Sequence, residues 1–229
     1  MPRLVTAALL LAAGCLPRAT IPDADRTRAT QELTGQRRWL RVAAFVGPFY
    51  GDTDKALLSD QPLGELDLLE TPQGEVIAPP PAEKVLPPGT PLRIRAVEFP
   101  TGMLIASRVV LSPRYHPWVI LEALDEPRPL VLVLSQTLGS YDQALAEIDR
   151  VLAADDPSPA LRALPAAQRD AVLRKGLVEG MGPSAVAMAW GRPQKKIVDR
   201  PAGSEEWVWA EGRRRAFLQD DRLVRWEAR

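Results

Sequence analysis

The hydrophobic period of this 229-residue chain changes several times, and each change predicts a different element. An apolar run with Thr6 as its one polar residue occupies 4–13, behind Arg3, and leads through Ala12-Ala13-Gly14 to Cys15. Ten residues rise only about 15 Å as a helix, half of a hydrocarbon core of about 30 Å. Residues 16–35 are polar and mixed in charge, with Pro17 and Pro22 and no apolar period, which reads as a flexible tether.

From 39 to about 135 the pattern is β. The stretch 39–46 is apolar and β-prone and stops at Gly47-Pro48. Segments 66–70 and 75–78 flank Thr71-Pro72-Gln73-Gly74, a hairpin signal, and Pro79-Pro80-Pro81 makes a stiff extended loop. After Pro87-Pro88-Gly89-Thr90 the alternation is cleanest: Leu92, Ile94 and Ala96 on one face, Arg93, Arg95 and Val97 on the other. Strands are expected over 103–111 and 118–124. Leu130-Val131-Leu132-Val133-Leu134 is apolar on both faces and reads as a central strand.

At Ser140 the period becomes helical. Ser140 and Gln143 have capping-box spacing, and Tyr141, Ala144, Leu145, Ile148, Val151 and Leu152 form one apolar stripe. Asp155-Asp156-Pro157 ends that helix, and Pro165 is placed to start another over 166–176. Gly182-Pro183 then opens a short helix carrying Val186, Ala189 and Trp190, closed by Gly191 and barred from continuing by Pro193. Short antiparallel strands are predicted at 196–200, 205–210, 214–218 and 223–226.

Composition narrows the class. Apolar residues make up 46% and charged residues 25%, the balance of an ordinary globular chain. With 29 basic and 29 acidic residues no net field recruits nucleic acid. Cys15 is the sole cysteine, so no internal disulfide forms, and one Cys with one His falls short of a structural zinc set. Asn is absent, Arg outnumbers Lys, and Ala and Pro are abundant, a bias typical of GC-rich bacterial genomes.

The short positive start, the apolar run and the small residues before Cys15 resemble the signal peptide and lipobox of bacterial lipoproteins. The third position before Cys15, usually Leu, is Ala12. The resemblance implies removal of 1–14 and attachment of acyl chains, palmitate among them, to Cys15; the alternative is an ordinary signal peptide cut near Gly14. Several acyl chains, each methylene contributing about 0.8 kcal/mol, would hold the protein on a membrane permanently. Leu16 in place of the Asp that favours inner-membrane retention implies the outer membrane, facing the periplasm.

Two further resemblances set the expected architecture. Leu86-Pro87-Pro88-Gly89-Thr90, the strand after it and Glu98-Phe99-Pro100-Thr101 are similar to a bacterial SH3-like barrel over about sixty residues. Gly180-Met181, Val186, Trp190-Gly191-Arg192-Pro193, Glu206-Trp207-Val208-Trp209, Phe217 and the stretch from Asp220 to Val224 resemble the SmpA/OmlA (BamE-like) family of outer-membrane lipoproteins. The family has Thr or Ser at the helix cap, here Gly182, and often Asp-Gly in the last hairpin, here Asp220-Asp221. Its fold implies two helices against a three-stranded antiparallel sheet, and its role implies support of β-barrel assembly or envelope integrity without catalysis. The expected organisation is therefore α+β: leader 1–14, tether 15–35, a small β-barrel or sandwich (SH3-like) at 36–136, a helical linker at 137–165, and a SmpA/BamE-like helix-plus-sheet unit at 166–229.

Candidate chemistry is sparse. Gly180-x-Gly182-x-x-Ala185 fits a loose dinucleotide fingerprint, but a charged helical stretch precedes it where a parallel strand is required. His116 lies in Tyr115-His116-Pro117-Trp118 with no Gly-x-Ser-x-Gly elbow in the chain, and is read as a surface or turn histidine rather than a hydrolase base. Asp155-Asp156 and Asp220-Asp221 are turn residues, and Glu205 and Glu206 point to opposite faces of a strand, so no metal site and no cofactor are expected. Arg213, Arg214 and Arg215, with Arg222 and Arg225 beside them, could contact lipid or lipopolysaccharide phosphates; a solvated hairpin edge is the other reading. Trp207 and Trp209 are expected in the core against Trp190.

Together these features imply a lipid-anchored, non-catalytic envelope protein that meets envelope or barrel-assembly proteins, with a periplasmic binding or inhibitor module as the alternative.

Overall fold

The computed structural model describes residues 21–228. In chain order the elements are α1 (Asp23–Leu33), β1 (Arg37–Leu40), β2 (Ala44–Phe49), β3 (Asp52–Ser59), β4 (Lys84–Leu86), β5 (Pro91–Glu98), α2 (Gly102–Ser107), β6 (Trp118–Ala123), β7 (Glu126–Val133), α3 (Tyr141–Val151), β8 (Leu152–Ala153), α4 (Ser158–Arg162), α5 (Ala166–Leu173), α6 (Pro183–Trp190), β9 (Lys195–Asp199), β10 (Ser204–Trp209), β11 (Arg214–Gln219) and β12 (Arg222–Ala228). The fold is α+β. One sheet has eight strands in the order β4-β2-β3-β7-β6-β5-β1-β8 and curls into a half-barrel; the other is antiparallel, in the order β12-β11-β10-β9.

In the first sheet β7 lies between β3, its parallel neighbour, and antiparallel β6. Its alternating side chains feed two cores. Leu130 and Leu132 face the core shared with α1 and α3, whereas Val131 joins Phe49, Leu57, Trp118 and Ile120 on the other side. This two-sided burial is the reason the segment is apolar throughout. The alternation along β5 is interrupted by a bulge between Ile94 and Ala96. The extra residue shifts the pleat, so Val97 joins Leu92 and Ile94 in one core while Ala96 packs on the opposite one, which corrects the uninterrupted register read from the sequence.

Several expected boundaries move. The tether expected at 15–35 contains helix α1, whose Ala29 and Leu33 are buried one turn apart. Asp23 and Asp25 in its first turn favour the helix start, and Asp25 accepts from the Tyr141 N–H at 3.0 Å. The single strand expected at 39–46 is two, because the backbone leaves the sheet between them. Arg41 N–H donates to Val151 O and Ala43 N–H donates to Met188 O, both at 2.8 Å. The segment 103–111, expected as a strand, is helix α2 and a loop, started by the Thr101 hydroxyl accepting from Leu104 N–H. The linker expected at 137–165 is largely core: α3 buries Tyr141, Ala144, Ile148 and Val151, and β8 pairs with β1. The predicted hairpin at 66–78 reduces to one bridge, Glu70 with Val76.

The C-terminal unit follows its sequence pattern closely. Pro165 precedes α5, Gly182 caps α6 with Pro183 at its first position, and Gly191 ends it at φ 82°. Any other residue would be strained at that φ, and its Cβ, 2.9 Å from Asp60 Oδ2, would also make the Asp60 carboxylate shift. Asp220 and Asp221 both take positive φ (49° and 57°), the conformation a tight two-residue hairpin between β11 and β12 requires. Trp207, Trp209, Ala216, Leu218 and Leu223 form the sheet's inner face against Val186, Ala189 and Trp190. Trp190 and Trp209 meet edge to face with centroids 5.3 Å apart.

Candidate interaction surface

Cys15, the expected lipidation site, lies outside the described residues. The three consecutive arginines do not form one patch, because strand alternation and a preceding turn send them in different directions. Arg214 points inward, 3% exposed, with Nε 3.0 Å from Glu65 Oε2 and its guanidinium over the Trp190 ring. Burial pulls its pKa down, and the nearby carboxylates of Glu65 and Asp60 oppose that pull. Arg213 binds Ala210 O and Glu65 O, both at 3.3 Å. Arg215 alone lies on the outer face, where it pairs with Glu206 at 3.1 Å. Arg214 is therefore taken up inside the molecule rather than offered to an anion. Arg225, on the neighbouring strand, stacks on Phe217 at 3.9 Å and binds Glu227.

Around Arg214 the two sheets are joined by polar groups that the sequence does not advertise. Lys175, at φ 54° just beyond α5, sends Nζ to Ala43 O at 2.6 Å and Ala189 O at 2.9 Å. Trp190 Nε1 donates to Lys175 O at 3.1 Å, and the ammonium lies 5.2 Å from the centre of the Phe45 ring. Burial lowers the lysine pKa to about 7; Asp60 raises it and Arg214 lowers it further. This junction holds the two units together through side chains on both.

Of the two placements expected for His116, surface or turn, the turn is found, its backbone N–H donating to Pro113 O at 3.0 Å, but the side chain is buried. Its Nδ1 lies 2.9 Å from Leu134 O, and burial lowers its pKa. Gly180 and Gly182 are engaged in the fold. Gly180 N–H donates to Leu223 O, and Gly180 O accepts from Gln168 and Arg222. Glu205 accepts from Trp207 Nε1 and approaches Lys196, while Glu206 binds Arg215 on the other face. Among the described residues no three His, Cys, Asp or Glu side chains cluster as a metal site would require.

What remains open is apolar surface and strand edge. β9 is exposed along its whole length, with Ile197 and Val198 half out, and it forms one edge of the second sheet. Such an edge can add a strand from a partner, although its two lysines also discourage indiscriminate pairing. The second open surface is the excursion between β5 and β6, where Met103 (86% exposed), Val110 (68%) and Leu111 (60%) stand in solvent. The signal against a strand in this segment is Thr101-Gly102, a helix cap, ahead of an apolar run without alternation. A third feature is an open cleft of about 650 Å³ at the other end of the first sheet, lined by Arg37, Arg95, Glu122 and Leu124 among others.

Comparison with family models, curated proteins and solved structures gives no match for this chain.

Proposed function

We propose that this chain is a lipid-anchored, non-catalytic protein of the bacterial envelope that supports outer-membrane assembly or integrity through contacts with other proteins. The observation that carries the reading is the apolar run 4–13 ending in Ala13-Gly14-Cys15, a length that suits export and not spanning. The unit made of α5, α6 and the second sheet supports a SmpA/BamE-like module, with one strand more than the three of that family, and β9 offers an edge for a partner strand. Within the same proposal the first sheet is an enlarged SH3-like barrel, supported by the Pro88-Gly89 turn that leads into β5.

Mass spectrometry of the mature amino terminus tests the anchor: acylated Cys15 is expected, and an intact leader on soluble cytosolic protein would overturn the reading. Pull-down from detergent-solubilised outer membrane tests the partner, with recovery of no envelope or barrel-assembly protein counting against it. A periplasmic binding or inhibitor module is the second reading, favoured by the open cleft beside Leu124. Sedimentation with purified cell-wall sacculi separates the two.

A further inference from the structure

The anchor reading meets the structure at the point where the described chain begins. α1 runs antiparallel to β5: Gly35 N–H, just after the helix, donates to Ile94 O at 2.7 Å, and Thr30 Oγ1 donates to Val97 O at 3.3 Å. Moving back along α1 is therefore moving forward along β5, towards Glu98 and Phe99. Ile21, ahead of the helix, is buried in the core that holds Phe99. From that end of β5 the excursion leaves, and it returns at Trp118, which pairs with Glu98 in register. Only residues 16–20 separate Cys15 from Ile21. Fully extended, that connection covers about 20 Å. Docking of α1 thus converts a tether of twenty residues into a short leash, attached at the excursion's end of the half-barrel.

The excursion has the composition of a surface that lies in a bilayer interface. From Phe99 to Pro117 the sequence contains no Asp or Glu, and of its basic residues Arg108 and His116 are buried while Arg114 is partly exposed. Its frame is fixed from beneath. The Arg108 guanidinium stacks on Trp118 at 3.5 Å and donates to Arg114 O, His116 O and Glu98 Oε2. Leu111 O accepts from Gly51 N–H at 2.9 Å. Held this way, Met103, Val110 and Leu111 are largely exposed among the described residues. Arg114, three residues after Leu111 and half-buried, lies over the Tyr115 ring at 5.0 Å, a cation and an aromatic ring of the kinds suited to headgroup depth.

We propose that the excursion at 102–115 is a second membrane contact, in which Met103, Val110 and Leu111 enter the interface of the bilayer that holds Cys15 and Arg114 meets lipid phosphate. The proposal rests on the anchored reading. The acyl chains supply attachment, and the excursion supplies orientation, so the half-barrel stands on the membrane by one end. β6 runs away from that end, and its far tip, where Leu124 is 92% exposed, faces away from the lipid.

The test uses the full acylated chain in vesicles of phosphatidylethanolamine and phosphatidylglycerol. Val110→Cys, Met103→Cys and Leu124→Cys variants are each labelled with bimane, and quenching by spin-labelled phospholipid is read together with flotation. The expected result is flotation of all three, with loss of emission from positions 110 and 103 and retention at 124. Flotation with no quenching at 110 and 103, or with equal quenching at 124, overturns the contact and leaves the anchor standing. Cross-linking between copies through position 110 without lipid quenching assigns the patch to a second copy and also overturns the contact. A chain that does not float, with Cys15 itself open to bimane, removes the anchor and the contact together.

Discussion

Arg214 of β11 and Glu65 of the turn at Leu63–Glu65, 149 positions apart in sequence, meet at 3.0 Å between the two sheets. Their side chains are 4% and 17% exposed, so each charge relies on the other. Removing Glu65 leaves the Arg214 guanidinium buried without its hydrogen-bonded partner and with only the more distant support of Asp60. Glu65→Ala is expected to lower the unfolding free energy by about 3 kcal/mol, whereas Glu65→Leu with Arg214→Met costs less than the single change. Urea titration of the three chains checks the ordering.

Lys175 gives the protein a pH dependence above neutrality. Its pKa falls from 10.5 to about 7 in the folded state, chiefly by burial. Between those two values the unfolded chain holds a proton that the folded chain has released, so stability rises as pH increases from about 7 towards 10. The slope from this group is at most about 1.4 kcal/mol per pH unit. Lys175→Met should abolish the rise. Above pH 10 the Tyr50 phenol, pushed up to about 12 by burial and by Asp67, works the other way, so denaturant melts belong at pH 7, 8, 9 and 10.

Trp207 is 2% exposed, and its indole N–H reaches Glu205 at 2.6 Å. Truncation to alanine removes most of an inner-face side chain that packs beside Trp209. The expected loss is about 3–5 kcal/mol. Guanidinium unfolding measures it, and a loss below about 1 kcal/mol would contradict a core role for the ring.

At the other end of the first sheet, Glu126 lies between Lys84 at 2.8 Å and Arg128 at 3.0 Å. Burial pushes its pKa up, but hydrogen bonds from the two cations outweigh that and bring it to about 2. A carboxyl lowered in the folded state contributes stability above its unfolded value of about 4.5 and loses it as pH falls towards 2. Glu126→Gln should flatten that acid limb in thermal melts taken between pH 2 and 5.

Legibility in the sequence followed the strength of local signals. The C-terminal unit could be read almost strand for strand, because Pro183, Gly191 and Asp220-Asp221 each impose a backbone conformation on their own. The first sheet was harder. Its β3 and β7 are parallel neighbours separated by the excursion and three other strands, a pairing that no local period encodes. α1 hid because only Ala29 and Leu33 give it an apolar face, and a two-residue stripe looks like none. The candidate surfaces divide the same way. Arg213, Arg214 and Arg215 were visible as a charge run, but which of them is buried depended on a glutamate in another unit. The Lys175 junction had no sequence signature, since its partners are backbone carbonyls of Ala43 and Ala189.

The pairing of β1 with β8, Trp39 opposite Ala153, bears on how the molecule is made. A ribosome releases Trp39 long before Ala153, so the nascent amino-terminal half has an edge without its final neighbour and a core without α3. Long-range closure of this kind is slow relative to hairpin formation. An emerging polypeptide with this connectivity stays unfinished until most of its length has been synthesised.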